Sequence, residues 1–164
     1  QGVGQVVATP HFLANHESVD DFITRRDAAY LRLAEHGADA PRIHLGAEVR
    51  YYDGISHLPD LKKLRIKDSK LLLLEMPFCT WGEYAVKEVC DLAGQGSITL
   101  VLAHIERYLG YQKPDVLYRL LDSGALLQCN ASFFCSFLTS LSLRGRVRAL
   151  LWIGLWLKGM LWLF

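Results

Sequence analysis

Four short apolar runs in this chain each close on a single histidine or glutamate, and that recurrence constrains the fold more than any other feature. "QVVATPH" carries Gln5 to Thr9 and then Pro10-His11. "IHLGAEVR" carries Ile43 to Ala47 and then Glu48. "KLLLLEMP" carries Leu71 to Leu74 and then Glu75, and "SITLVLAHIERY" carries Ile98 to Ala103 and then His104. A short apolar run bounded by glycine and polar residues reads as a buried strand of a mostly parallel sheet. In such sheets the residues just past the carboxyl ends of the strands face ligands. Taken singly, a histidine after a strand is more often a loop or cap residue, and a lone glutamate is usually solvated. The ordered set His, Glu, Glu, His points instead to a metal-binding rim.

Helical segments separate these runs. Ser18 can cap a helix from Val19 to about His36, closed by Gly37, with Phe22, Ile23, Ala29, Tyr30 and Leu33 at helical spacing. "YYDGISH" reads as a polar turn and "LPDLKKLRIKDSK" as a short helix and loop. "WGEYAVKEVCDLAGQG" reads as an amphipathic helix ending at Gly94, and "KPDVLYRLLDSG" as a helix with Pro114 in its first turn and Gly124 past its end. "ALLQCN" is a further strand. The alternation implies an α/β fold with a parallel sheet, open or closed into a barrel. No internal repeat or linker divides residues 1–164, which read as one domain.

The C-terminal "RVRALLWIGLWLKGMLWLF" raises the question of a membrane anchor. Only nine residues separate Arg148 from Lys158, far short of the roughly 20 that span a bilayer. A buried helix to Lys158, a turn at Gly159 and the start of a strand in "MLWLF" fit better, with Trp152 or Trp156 in the core. The chain therefore predicts no transmembrane span of its own.

Composition excludes other classes. At 164 residues, 51% hydrophobic and 21% charged, the chain can bury a sizeable core and is not disordered. A formal net charge of +1 leaves no electrostatic footprint for nucleic acid. Cys79, Cys90, Cys129 and Cys135 form no C-x-x-C pair, so they read as reduced packing residues of a cytoplasmic protein.

His11, Glu48, Glu75 and His104 are ligands of the kind that hold manganese, iron or zinc, and their carboxylates can bridge two ions. Paired ions can generate a hydroxide at neutral pH and clamp a phosphate. Arg107, three residues after His104, offers planar bidentate donors to phosphate oxygens; alone it reads equally as the partner of Glu106 in a surface ion pair. Together these residues suggest phosphate-ester hydrolysis by a metal-bound hydroxide. A cysteine-dependent phosphatase needs an arginine about six residues after its thiolate. Ala85, Gly96, Cys135 and Leu141 stand there instead. His44 shares a strand side with Glu48 and could support the ligands, although a half-exposed strand histidine is the plainer reading. His16, His36 and His57 read as loop or helix-end residues. Asn130, at another strand end, could bond substrate or turn the chain.

"VVATPH", "GAEVR", "LLLLEMP", "LAHIERY" and "GALLQCNAS", in this order and spacing, resemble the metal-dependent tyrosine phosphatases of the CpsB/CapC type, in the PHP (polymerase and histidinol phosphatase) superfamily. The resemblance implies a distorted (β/α)7 barrel and a manganese-dependent site of up to three ions. It implies dephosphorylation of a bacterial tyrosine kinase that controls capsule or exopolysaccharide synthesis. By position, His11, Glu48, Glu75 and His104 match metal ligands and Arg107 a phosphate-binding arginine. The family's opening H-x-H and closing D-x-H motifs have no counterpart here, and His104-Ile105 and Phe12 replace the usual His-Pro and a second His. The barrel is accordingly expected to be incomplete at both ends and the chain to be a weak phosphatase by itself. A small-molecule phosphatase of the histidinol phosphatase kind and a non-catalytic remnant remain open as alternatives, as do a membrane-associated partner and oligomerisation.

Overall fold

The computed structural model describes residues 3–34 and 41–130, and the backbone of a strand at Leu161–Leu163. The described residues form, in chain order, β1 (Gln5–Ala8), β2 (His11–Phe12), α1 (Val19–Ala34), β3 (Arg42–Leu45), β4 (Glu48–Arg50), β5 (Leu71–Glu75), α2 (Glu83–Gly94), β6 (Thr99–Leu102), α3 (Pro114–Asp122), β7 (Leu126–Cys129) and β8 (Leu161–Leu163). Every ladder is parallel. β1 pairs with β3, and a second sheet runs β2-β4-β5-β6-β7-β8. Gly46 N–H donates to Ala8 O and Glu48 N–H to Pro10 O, so the two sheets are successive lengths of the same strand pair, interrupted where Pro10 withholds a donor.

The fold is therefore the α/β arrangement with parallel strands expected from the sequence. Among the described residues it is not a closed barrel, because no ladder joins β8 to β1 or β2; β8 pairs on its β7 side. β1 also departs from the buried strand expected of it. Val6 and Val7 are exposed, since among the described residues β1 is an edge paired only with β3. The last strand expected in "MLWLF" is present as β8. The stretch 131–160, with Cys135, Trp152, Trp156 and the helix expected to reach Lys158, lies outside the described residues, as do His36 and Gly37.

Local chemistry explains the helices. Ser18 Oγ accepts the Asp21 N–H at 3.1 Å and donates to the Asp21 carboxylate at 2.7 Å, a reciprocal cap that starts α1. Pro114 opens α3, and Gly124, at φ +98°, takes the left-handed turn after it. Where the sequence suggested a polar turn and a short helix, the chain makes two single 3₁₀ turns, Ile55–His57 and Leu61–Leu64, that bury Ile55, Leu61 and Leu64. No helix among the described residues is long and apolar enough to cross a membrane.

The period-two alternation of the strands divides the sheet into two faces. Leu72, Leu74, Leu100, Leu102, Leu127 and Cys129 are fully buried and join α2 and α3 residues such as Val89, Leu92, Leu117 and Leu120 in one core. Leu71, Leu73, Glu75, Val101, Ala103, Leu126 and Gln128 point the other way and line a cavity of about 760 Å³. Glu88, a buried carboxylate on α2, belongs to the core side. It accepts from Tyr51 Oη (3.0 Å), Gly54 N (3.1 Å), Ser56 N (3.1 Å) and Ser56 Oγ (2.7 Å), and so ties the segment after β4 to α2.

Candidate metal centre

The cavity places the four histidine and glutamate residues at one end of the sheet. His11 and Glu48 are register partners on β2 and β4, Glu75 closes β5, and His104 follows β6. One ligand atom each of His11, Glu48 and Glu75 lies within 4.8 Å of the others. His104 Nε2 sits 3.0 Å from Glu48 Oε1 and 3.2 Å from Glu75 Oε1, while His11 Nδ1 is 3.8 Å from Glu75 Oε2. Glu48 and His11 terminate no apolar run in the strict sense. Each begins or sits in a short second ladder beyond the interruption at Pro10 and Gly46, which is what turns them toward Glu75.

Electrostatics within the cluster are lopsided. The His104 hydrogen bond holds the Glu48 carboxyl below its ordinary value; burial opposes this, and the charges of His104, His11 and Arg107 add to the lowering. Glu48 is therefore ionised at neutral pH, and its oxygens act only as acceptors or ligands. Two buried atoms remain without a hydrogen-bond partner among the described residues, Glu75 Oε2 and His104 Nδ1. An orphaned carboxylate oxygen costs several kcal/mol in general unless a cation or donor meets it. A hard divalent ion fits this donor set of carboxylate oxygens and imidazole nitrogens.

His104 is held in an unusual backbone conformation, φ 36° and ψ 54°. Strain of this kind needs support from neighbours. Gln128 supplies it by accepting the His104 N–H, with its own amide donating toward Asn130 Oδ1 at 3.5 Å. Asn130 in turn donates to the Glu106 carboxylate. Glu106 is thus engaged by Asn130 rather than by Arg107, and among the described residues no carboxylate lies within ion-pair distance of Arg107. The Arg107 guanidinium lines the cavity and sits 6.0 Å from the centre of the Phe78 ring. Asn130 therefore braces the loop after β6 through Glu106, and it also lines the cavity. His44 Nε2 bonds Gln5 Oε1 at 3.0 Å on the cavity wall and touches none of the four cluster residues.

Sequence reasoning passed over Gln128 and Tyr108. Gln128 was legible as a polar residue inside the apolar run "ALLQC". Tyr108 is fully buried, accepts the Met76 N–H at 2.9 Å, and packs edge-on against Trp81; burial pushes its hydroxyl well above the ordinary value, with the charges of Glu75 and Glu48 adding to it. The cysteines split. Cys129 is buried, its thiol pushed up to about 12 by burial and by Glu106, and Cys90 is half-buried, but Cys79 is exposed and is not the packing residue expected.

Comparison with known proteins now decides the family. A profile described as "Capsular polysaccharide synthesis, CpsB/CapC" matches residues 1–136. The chain belongs to the CpsB/CapC family. It is 32% identical over 154 residues to the tyrosine-protein phosphatase YwqE of Bacillus subtilis, covering 88% of this chain and 59% of YwqE. It is 29% identical over 138 residues to the Staphylococcus aureus protein CapC, covering 80% of this chain and 52% of CapC. A chain from the crystal structures of B. subtilis YwqE and Streptococcus pneumoniae CpsB, described as metal-dependent tyrosine phosphatases, superposes with a TM-score of 0.66 at 25% identity. That match covers 91% of this chain and 60% of the solved one. This CpsB/CapC chain thus spans between half and about three-fifths of the length of these relatives.

Proposed function

We propose that this CpsB/CapC chain carries the core of a metal-dependent protein tyrosine phosphatase, acting on a bacterial tyrosine kinase that regulates capsule or exopolysaccharide synthesis in the cytoplasm. The observation that supports it most is the convergence of His11, Glu48, Glu75 and His104 around an orphaned, buried carboxylate oxygen at the mouth of a cavity. These four residues would hold the metal, with manganese the ion proposed and further ions held by ligands outside this set. We assign residues 1–164 to one PHP-type phosphatase domain, part of a proposed (β/α)7 barrel that a longer chain would complete.

When bound, divalent ions supply a water acidic enough to attack at neutral pH and positive charge for the phosphate oxygens. The chain's own residues do the rest. Glu48 and Glu75 fix ligand geometry, and His104 is held in place through its N–H by Gln128. Arg107, with no carboxylate within ion-pair distance among the described residues, would turn its donors to the non-bridging phosphate oxygens and stabilise the charge that builds on them. A cysteine nucleophile has no support: Cys129 is buried and protonated, and no cysteine of the sequence has an arginine at the spacing a phosphate-cradling loop needs.

The test is hydrolysis of a phosphotyrosine peptide, by the chain and by a version extended to the length of its relatives. Activity should require added divalent metal and survive thiol alkylation, and the chain alone should be the weaker enzyme. Preference for a small phosphomonoester such as histidinol phosphate would move the substrate assignment. Activity abolished by alkylation and untouched by chelators would overturn the mechanism.

A further inference from the structure

Phe78 is a large apolar side chain left 41% exposed immediately beyond the strand that carries Glu75. Its surroundings are unlike those of an incidental surface residue. The ring stacks on Tyr108 with centroids 5.6 Å apart and planes 26° apart, and lies 5.8 Å from the His104 ring. The Arg107 guanidinium sits 6.0 Å from its centre. Phe78 therefore lies beside one metal-cluster residue and the cavity-lining Arg107 at once.

The loop that presents it is clamped. Buried Gln112 donates to Cys79 O at 2.6 Å and accepts the Trp81 N–H at 3.2 Å, while the Trp81 indole N–H donates to Pro77 O at 2.9 Å. Tyr108, fixed by the Met76 N–H, backs the ring from the core side. A loop held by this many bonds could bury its phenylalanine, yet it holds the ring partly exposed beside His104 and Arg107, two residues that line the cavity. An exposed aromatic that is rigid in this way loses little entropy when a second ring packs on it.

We propose that Phe78 is a specificity-determining residue that receives the aromatic ring of an aryl phosphate monoester, while Arg107 and the metal cluster take its phosphate. Resting on the phosphatase reading above, this explains selection of phosphotyrosine over phosphoserine and phosphothreonine. An alkyl phosphate has no ring to pack on Phe78, so it gains only the contacts to its phosphate. The same ring stations the Arg107 guanidinium beside the incoming phosphate through a cation–π contact.

Two measurements test it. In this chain with manganese present, phenyl phosphate should bind about 3- to 10-fold more tightly than inorganic phosphate, the span expected of one aromatic pair. Phe78→Ala should erase that ratio and Phe78→Tyr should keep it. In the extended enzyme, the ratio of kcat/KM for a phosphotyrosine over a phosphoserine peptide should fall by a similar factor in Phe78→Ala and recover in Phe78→Tyr. An unchanged binding ratio in Phe78→Ala, equal losses on both peptides, or no binding of either small ligand each overturns the proposal. Failure of the phosphatase reading looks different: the wild type turns over neither peptide, whereas the binding ratio still responds to Phe78.

Discussion

Glu75 and Glu88 are both buried, at 5% and 7% exposure, and each sits on an element packed in the same core. Their surroundings are opposite. Glu88 accepts hydrogen bonds from Tyr51, Ser56 twice, and Gly54, so both of its oxygens are satisfied. Burial raises the Glu88 carboxyl, but these donors outweigh it and leave it below its ordinary value. Glu75 shares one oxygen with His104 and leaves the other with no hydrogen bond among the described residues, His11 Nδ1 standing 3.8 Å away. A carboxylate whose donors all come from its own chain is a structural tie. One that folding leaves short of partners is waiting for a cation, and it lies in the cavity rather than under a helix.

The largest expected effect follows from removing charge at Glu75. Glu75→Gln or His104→Ala should weaken divalent metal binding by more than about 100-fold, since even residues that merely orient a ligand are typically worth 10- to 100-fold. Calorimetric titration with manganese measures it. Chemical denaturation of Glu75→Gln in a chelator should show no loss of stability, because the charge removed had too few partners. Metal affinity left intact in both variants would break the contrast.

Glu88→Ala should behave in the reverse sense. It strands the donors of Tyr51, Gly54 and Ser56, at roughly 2 to 3 kcal/mol of stability, visible as a lower urea midpoint. Manganese should still raise the melting temperature of this variant, by the increment mass action sets, and should not raise that of Glu75→Gln. If both variants keep the metal-induced shift, Glu75 is no ligand.

Arg107→Ala should come next in size. Turnover in the extended enzyme should fall on the order of ten- to a hundred-fold with metal content unchanged, through lost stabilisation of phosphate charge. Loss of bound metal in the same variant would place Arg107 in the cluster instead.

The smallest effect concerns pH. Because folding lowers the Glu88 carboxyl from its ordinary 4.5, its contribution is fully present above that value and is lost as pH falls through the folded-state value. Glu88→Gln should therefore be less stable than the wild type near neutrality and should lose less on acidification below about pH 4.5, checked by urea midpoints across that range. Equal acid slopes in the two proteins would remove Glu88 from the account.

Much of this site was legible from residues. Parallel strands carry their carboxyl ends to one face, so Glu75 and His104, at the ends of neighbouring strands, had to meet if the sheet was parallel, whereas His11 and Glu48 reach them through the short ladder beyond Pro10 and Gly46. The caps at Ser18 and Gly124 were equally readable, because capping is chemistry within a few residues. Helix ends and the two 3₁₀ turns were less so, since burial of Ile55 and Leu64 depends on what packs over them.

By itself, then, the sequence determined the α/β class and the order along the chain of the four histidine and glutamate residues that the structure brings together, because these follow from alternation and local spacing. Only the tertiary structure decided which buried carboxylate is satisfied. Glu88 lies in an ordinary helical stretch, and its donors at Tyr51, Gly54 and Ser56 stand more than thirty residues away. The same holds for Gln128 bracing His104 and for Asn130 taking Glu106 away from Arg107. Hydrogen-bond satisfaction of a buried group depends on every element that closes over it, and no window of sequence contains them all.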